Sequence, residues 1–249
     1  MALRIITWNV QGRERPDLDV VAAVIGELGP DVVALQEVQR SQSRALARRL
    51  GWSVEWRFKH WSVVVPPEGL ALLSPEPLRD VRRIHLARRR RFWSWRRRIS
   101  LRATVDAPDG AIAVVGTHLG AGVGDAERTR QAHRTVASLA GPSPVVGGCV
   151  VGDLNTHPGS PVLIAYAESG LRDAWDEARP GEPGPTNWRA GPRDAAPTQR
   201  LDYVLVTEGL EVLSARLPSA AEPGFARYGE LSDHLPLTVT VAPRGGSRR

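Results

Sequence analysis

The sequence has little of what secreted, disulfide-rich or membrane-embedded proteins carry. Its 249 residues include one cysteine, Cys149, which excludes an internal disulfide framework and favours a reducing compartment. No apolar run approaches the ~20 residues that cross a bilayer. Strand-like sequence begins at Leu3 and leaves no room for a signal peptide. We therefore expect a cytoplasmic, monomeric protein without a transmembrane segment.

The sequence also has almost no lysine, and its positive charge is concentrated in one segment. Lys59 is the only lysine, so arginine supplies 32 of the 33 cationic residues, a skew as typical of a GC-rich genome as of a function. Residues 79–102 carry eleven arginines and one acid, Asp80. The net charge of that segment is +10, against +6 for the whole chain and therefore −4 for the remainder. The basicity is a local patch rather than a general property.

Hydrophobic patterning predicts an α/β fold. With 42% hydrophobic residues among 249, the chain can bury a large core as one α/β domain or two small ones. Its first fifty residues alternate strand, helix, strand and helix, which is typical of an α/β layer. Short strand patterns follow, some separated by helical spacing. We predict strands at 3–8, 31–35, 52–57, 61–65, 69–73, 77–86, 97–105, 111–117, 144–151, 201–206, 210–217 and 235–241, helices at 17–28, 41–50, 125–140 and 160–170, and loops at 178–199 and 218–231.

Polar residues follow several predicted strands at the point where each strand ends. Asp153 and Asn155 come directly after a buried apolar strand, and because they are two residues apart they point the same way if strand geometry persists. Asn9, Glu37 and His118 also follow apolar strands. Ligands of α/β sheets bind just past such strand ends, although a Gly-Asp pair also ends many strands simply as a turn. The pattern indicates a candidate site at one edge of a sheet.

These strand-end residues belong to a series of short segments. The segments are Thr7-Trp8-Asn9-Val10, Leu35-Gln36-Glu37-Val38, Thr117-His118-Leu119, Gly152-Asp153-Leu154-Asn155, Arg200-Leu201-Asp202-Tyr203 and Ser232-Asp233-His234. In this order they resemble the endonuclease/exonuclease/phosphatase superfamily, whose fold is like that of pancreatic deoxyribonuclease. The resemblance implies a four-layer α/β sandwich, in which two packed mixed β-sheets are flanked by helices. It further implies a single domain over residues 1–242. We expect the tail at 243–249 to be frayed, as chain termini commonly are.

The resemblance implies a metal site. Glu37 would be the main Mg²⁺ ligand, Asn9 would assist it, and Asp233 would be a further ligand. Magnesium favours one or two carboxylates together with waters and substrate phosphate, so this set of residue types suits it. Mn²⁺ is a possible substitute.

The resemblance also implies catalytic roles. Asp153 would orient or deprotonate the attacking water, and Asn155 would hold both Asp153 and the phosphate. His234 would contact the scissile phosphate. Asp202 would orient His234 and keep it cationic, because a carboxylate partner raises the pKa of histidine and fixes its tautomer.

His118 occupies the place of the residue that assists the leaving oxygen in nuclease relatives. A protonated imidazole suits such general-acid work. In pancreatic deoxyribonuclease a glutamate on a neighbouring strand pairs with this histidine. The corresponding strand here, at 97–102, contains no acid, so the carboxylate partner of His118 is not evident from the sequence.

The segment at 88–98 is the main indication of the substrate. Two arginine clusters flank three aromatic residues in it. Arginine contacts phosphates and aromatic rings stack on unpaired bases, so Arg96, Trp93 and Trp95 join Asn155 as candidate substrate-binding residues. The same composition suits an anionic lipid surface, or a solvated hairpin whose tryptophans cover the core.

We therefore predict a Mg²⁺-dependent phosphodiesterase that hydrolyses phosphate esters by in-line water attack, and that acts as a nuclease on DNA. One alternative is a lipid or small-molecule phosphoesterase, either sphingomyelinase-like or inositol-phosphate phosphatase-like. Another is a catalytically dead module that binds nucleic acid or lipid. Gln11 and the segment Gln36-Glu37-Val38-Gln39 depart from the pattern of abasic-site endonucleases, which disfavours that branch of the superfamily.

Overall fold

Two mixed β-sheets form the middle of the fold in a computed structural model that describes residues 2–62, 65–91, 94–189, 193 and 195–245, with the side chains of 61–65 and 88–96 left out of the description. The strands are β1 (Leu3–Asn9), β2 (Val32–Val38), β3 (Ser53–Ser62), β4 (Val65–Ser74), β5 (Arg79–Arg91), β6 (Ser94–Val105), β7 (Ile112–His118), β8 (Gly147–Asp153), β9 (Arg172–Asp173), β10 (Asp202–Val206), β11 (Leu210–Arg216) and β12 (Leu237–Pro243). The helices are α1 (Leu18–Leu28), α2 (Arg40–Leu50), α3 (Asp125–Ala137), α4 (Pro161–Glu168), α5 (Ala174–Ala178) and α6 (Ala226–Leu231).

Each sheet contains six of these strands. The first has the order β11-β12-β1-β2-β4-β3, and the second has the order β5-β6-β7-β8-β10-β9. The pairs β1–β2 and β7–β8 are parallel. A short antiparallel pairing of β3 with β6, from His60 opposite Arg96 to Ser62 opposite Ser94, joins the two sheets at one edge.

The two sheets pack face to face, and helices cover their outer faces. The central core takes Ile5 and Leu72 from the first sheet and Val114 and Val151 from the second. A second cluster lies between the first sheet and α1 and α2, and a third lies between the second sheet and α3 and α4. Strands buried on both faces read as continuous apolar runs, which is why the sequence marks them clearly. The predicted four-layer α/β sandwich is confirmed.

Most predicted elements are present, and the differences have local causes. The predicted strands at 77–86 and 97–105 are longer, because β5 and β6 continue to pair with each other as far as Arg91 opposite Ser94. The predicted loop at 218–231 contains the short helix α6. Helix α2 begins earlier than predicted because Gln39 and Gln42 form a reciprocal capping box. Among the described helices, none is long and apolar enough to cross a membrane.

Candidate active site

The strand register brings the predicted site residues to one edge of the packed sheets. In the parallel pair β7–β8, His118 lies opposite Asp153, and in the antiparallel pair β8–β10, Asp153 lies opposite Asp202. Asn9 ends β1 in the other sheet and reaches across to Asp153. His234 precedes β12, which pairs with β1. Residues separated by more than 200 positions in the sequence therefore share one site.

Asp153 is the centre of the site and is 2% exposed. Its Oδ2 accepts a hydrogen bond from Asn9 Nδ2 at 3.1 Å, and its Oδ1 accepts one from the backbone N–H of Asn155 at 2.9 Å. The same Oδ2 lies 3.6 Å from His118 Nε2 and 3.9 Å from His234 Nε2. Burial raises the pKa of Asp153 to about 6, against the opposing influence of the His234 charge. A carboxyl group with this pKa can accept a proton near neutral pH.

Asn155 holds Asp153 in a different way from the one expected. The contact to Asp153 comes from the backbone N–H of Asn155, while its side-chain Nδ2 donates to the carbonyl oxygen of Leu119 at 3.1 Å. Its φ angle is +49°, a left-handed conformation that asparagine tolerates better than most residues. The side-chain oxygen is the remaining polar atom that could face a substrate.

His234 forms a short, buried pair with Asp202. The distance from Nδ1 to Asp202 Oδ2 is 2.7 Å, and Asp202 is fully buried. Burial by itself lowers the pKa of His234, but the attraction of the Asp202, Asp153 and Asp233 carboxylates outweighs it and raises the pKa to about 10. The imidazole is therefore cationic at neutral pH. Trp8 Nε1 donates to the His234 carbonyl oxygen at 2.8 Å and anchors the segment to β1.

His118 has a partner that sequence reasoning missed. Its Nδ1 lies 2.9 Å from Lys59 Nζ, and Lys59 in turn lies 3.2 Å from Glu68 Oε1. The missing acid is thus on β4 rather than on β6, and a lysine stands between it and the histidine. The available signal was that Lys59 is the only lysine in the chain. Burial, followed by the positive charges of Lys59 and Arg98, lowers the pKa of His118 well below its ordinary value, so the expected cationic imidazole is not what the structure supports.

A β-bulge in β2 sets the orientation of the Glu37 side chain. The pairing of β2 with β4 shifts register between Gln36 and Val38, and Glu37 has a φ angle of +55°. A bulge turns the extra residue out of the regular alternation of the strand. The Glu37 carboxylate is consequently 23% exposed and lies 3.9 Å from His118 Nε2. It is the most accessible carboxylate among the acids that line the site edge.

Asp233 lies next to this edge and has an incompletely satisfied carboxylate. Burial raises the pKa of Asp233, and the nearby Glu37 charge raises it further. Its Oδ1 has no hydrogen-bond partner within the described part of the chain. The same Oδ1 lies 3.8 Å from His234 Nε2, and the charges of His234 and Arg193 oppose the rise in pKa. Two neighbouring carboxylates that repel each other are a set of groups that a cation would stabilise.

The residue types at this edge suit a magnesium ion. Across the described ranges, no three His, Cys, Asp or Glu side chains are arranged as a closed metal cage. Mg²⁺ seldom needs such a cage, since it keeps several waters and takes one or two carboxylates plus substrate phosphate. Glu37 with Asp233 and the Asn9 amide fits that requirement. Asn9 Oδ1 already accepts the Gln11 N–H at 3.2 Å, so it has one lone pair left for a ligand.

Gly152 permits the close approach of β7 and β8 beside Asp153. Its φ angle is +146°, and a Cβ added there would collide with the Thr117 carbonyl oxygen. Only glycine adopts this backbone conformation readily. The residue therefore sets the position of Asp153 relative to His118.

The backbone of the basic segment extends beside the candidate active site and forms part of its rim. Residues 79–91 and 94–102 lie in the paired strands β5 and β6, and the sequence segment 79–102 is here called the β5–β6 arm. Because Ser100 pairs with Thr117, the part of β6 before Ser100 extends past the strand end that carries His118. Trp95 and Arg96 lie on this extension with their side chains outside the description, and Trp93 lies outside the described residues.

Comparison with known protein families assigns the chain to one family. The model of the endonuclease/exonuclease/phosphatase family matches residues 6–234, and the chain belongs to that family. Its members are phosphoester hydrolases that typically use divalent metal ions. No match was found among curated proteins.

Solved structures from several organisms have the same fold. An endonuclease/exonuclease/phosphatase from Beutenbergia cavernae DSM 12333 is 24% identical, with a TM-score of 0.77 over 98% of this chain and 72% of the other. The human Nocturnin catalytic domain with bound sulfate is 25% identical, with a TM-score of 0.72 over 97% and 93%. D. rerio TDP2 complexed with single-strand DNA product is 18% identical, with a TM-score of 0.70 over 97% and 99%.

Proposed function

We propose that this chain is a Mg²⁺-dependent phosphodiesterase that cleaves DNA by in-line attack of water. The observation that carries the proposal is the pairing of a proton acceptor with a cation in one buried site. Asp153, with a pKa of about 6, lies 3.9 Å from the imidazole of His234, with a pKa of about 10. At neutral pH the first group is available as a base and the second carries positive charge.

Asp153 would receive the proton of the attacking water. Two hydrogen bonds, from Asn9 Nδ2 and the Asn155 N–H, fix its carboxylate in one orientation. A base that packed neighbours hold in place orients its water before the reaction begins, so this orientation adds no entropic cost to the reaction barrier. His234 would stabilise negative charge on the phosphoryl oxygens, since a preorganised cation in a buried site acts strongly on charge that develops nearby.

His118 and Asn155 would complete the contacts to the phosphate. His118 Nε2 faces the same space as Asp153 and Glu37, and we place it on the side of the leaving oxygen. Glu37, with Asp233 and Asn9, would hold the Mg²⁺ ion. When bound, the metal supplies charge neutralisation on the phosphoryl and leaving oxygens.

The positive charge of the β5–β6 arm beside the site favours DNA as the substrate. The β5–β6 arm carries a net charge of +10 and its backbone extends beyond the strand end that holds His118. A positively charged surface beside a phosphodiesterase site attracts a polyanion along its length. The fold is shared with TDP2, solved with a single-strand DNA product, which is consistent with this choice.

A substrate panel tests the proposal. Plasmid DNA, single-stranded DNA, RNA, sphingomyelin and inositol phosphates would be incubated with Mg²⁺ or Mn²⁺, together with a chelator control. We expect DNA cleavage that stops in chelator. Preferred hydrolysis of sphingomyelin or an inositol phosphate would replace DNA as the substrate, and activity that persists in chelator would contradict the metal mechanism.

The contribution of the arm is tested separately. Replacing Trp93 and Trp95 with alanine should weaken cleavage of polymeric DNA far more than cleavage of a small diester reporter, because stacking requires several bases. Arg82→Ala with Arg83→Ala, exposed on the part of the arm within the sheet, provides a control for charge alone. An equal loss on both substrates for the tryptophan variant would show that the rings support the fold instead.

A further inference from the structure

The only lysine of the chain lies buried behind the candidate active site. Lys59 is 1% exposed on β3, and its ammonium is placed between Glu68 Oε1 at 3.2 Å and His118 Nδ1 at 2.9 Å. The pairing of β3 with β4, in which His60 lies opposite Glu68, sets this arrangement. The three side chains form a line of contacts that ends at the imidazole.

The contact between Lys59 and His118 determines where the imidazole carries its proton. An ammonium group has three donors and no acceptor, so it can bond only to a ring nitrogen that has a free lone pair. Nδ1 of His118 must then be the unprotonated nitrogen. The proton of a neutral imidazole is left on Nε2, the atom that lies 3.6 Å from Asp153 Oδ2 and 3.9 Å from Glu37 Oε1.

We propose that Lys59, held by Glu68, is a positioning residue that fixes His118 as a neutral imidazole whose Nε2–H points at the substrate phosphate. His118 then acts as a hydrogen-bond donor to a phosphoryl or leaving oxygen and keeps its proton, so that the leaving oxygen takes its proton from water. This deepens the proposed function and rests on it for the identity of the acceptor. A carboxylate directly on Nδ1 would do the opposite, because it would keep the proton there and favour a cationic ring.

Burial lowers the pKa of Lys59, and the Glu68 carboxylate opposes this shift and favours the ammonium form. Burying a carboxylate without a partner is costly, and Lys59 is the cation that lies against it. Such a buried pair is seldom more stable than apolar residues of the same volume, so its presence calls for a role other than stability. The choice of lysine fits that role: a compact ammonium can donate to two neighbours from one point, whereas the planar fork of arginine demands a wider space.

The tautomer can be measured without any catalysis. The side-chain ¹⁵N spectrum of the metal-free protein distinguishes protonated from bare ring nitrogens, and the His118→Gln variant identifies the His118 signals by their loss. We expect a bare Nδ1 and a protonated Nε2 in the unaltered protein. A protonated Nδ1, whether in the other tautomer or in a cationic ring, would overturn the proposal.

The role of Lys59 is tested by removing both charges together. The double variant Lys59→Met with Glu68→Gln leaves no uncompensated buried carboxylate, and the Nδ1 signal should shift because it loses its ammonium donor. An unchanged Nδ1 signal would contradict the assignment. Arg102→Met, which removes another fully buried cation from β6, is the matched control and should leave the His118 signals in place. If the double variant does not fold, the spectrum of the unaltered protein still decides the tautomer.

A kinetic cycle tests whether Lys59 acts through His118. The Lys59→Met/Glu68→Gln change should lower kcat on a small diester by about 10- to 100-fold, as expected for a displaced catalytic group, with little effect on KM. In the His118→Gln background the same change should have almost no further effect. Equal losses in both backgrounds would mean that the pair only supports the fold. Absence of turnover in the unaltered protein would instead refute the proposed function, and the tautomer result would stand independently.

Discussion

Replacing Asp202 with asparagine separates the charge of this residue from its shape. Asp202 is fully buried, and its Oδ2 lies 2.7 Å from His234 Nδ1. The pKa of His234 rises from 6.5 to about 10. At ~1.4 kcal/mol for each pKa unit, this shift corresponds to about 5 kcal/mol of stability from the cationic imidazole. Because Asp153 and Asp233 contribute to the shift, we expect Asp202→Asn to cost about 3 kcal/mol, within the range for breaking a buried pair.

The stabilisation that the cationic His234 provides decreases as the pH rises. The folded pKa of His234 lies above its unfolded value, so the stabilisation is fully present below about pH 6.5 and is lost as the pH rises toward about 10. The free energy of unfolding, measured by urea denaturation of both proteins, should therefore differ most near pH 6 and much less near pH 10.

The control for this experiment is another aspartate in an ion pair. Asp106→Asn removes an exposed carboxylate that pairs with Arg79, and exposed pairs contribute little. If Asp202→Asn changed the unfolding free energy no more than this control at pH 6, the Asp202–His234 pair would not stabilise the fold. An effect of the same size at pH 6 and pH 10 would contradict a contribution from the cationic imidazole.

The remaining predictions concern the site. Asp153→Asn and His234→Ala should each lower kcat by about 10²- to 10⁴-fold; near-normal turnover in either would contradict the assignment. Asp153→Asn should keep or raise the melting temperature, because burial disfavours the Asp153 charge. The pH–rate profile should rise near pH 6 as Asp153 loses its proton, and a flat profile there would argue against it as the base. Glu37→Ala should weaken Mg²⁺ binding in calorimetry, so unchanged affinity would move the metal elsewhere. Gly152→Ala should lower stability by more than about 1 kcal/mol, given the positive φ and the collision with Thr117; an unaltered melting temperature would rule this out.

The local features of this protein could be predicted from its sequence. Buried strands appear as short apolar runs, and the predicted helix at 17–28 corresponds to α1 at Leu18–Leu28, capped by Asp17 and ended by Gly29. The residues that follow the strands were evident for the same reason, since a strand end is marked by an abrupt change from apolar to polar residues. These features depend on neighbours in the sequence, and the four-layer sandwich followed from the family resemblance they carried.

The contacts across the site were decided by the tertiary structure. Asp202 lies opposite Asp153 because of the register of β10 against β8. Glu37 is only half-buried because a bulge in β2 turns its backbone to positive φ. Neither a register nor a bulge is visible in one strand, because both arise from the pairing of two strands.

Lys59 shows the difference most directly. The sequence shows that Lys59 is the only lysine beside 32 arginines. It does not show that Lys59 lies between Glu68 and His118. The sequence by itself determined which polar residues end the strands and which reaction they suit. Only the packing of two sheets determined which partner each residue meets, and thereby the charge that it carries, because burial and neighbouring charges set a pKa and both depend on contacts made far apart in the chain.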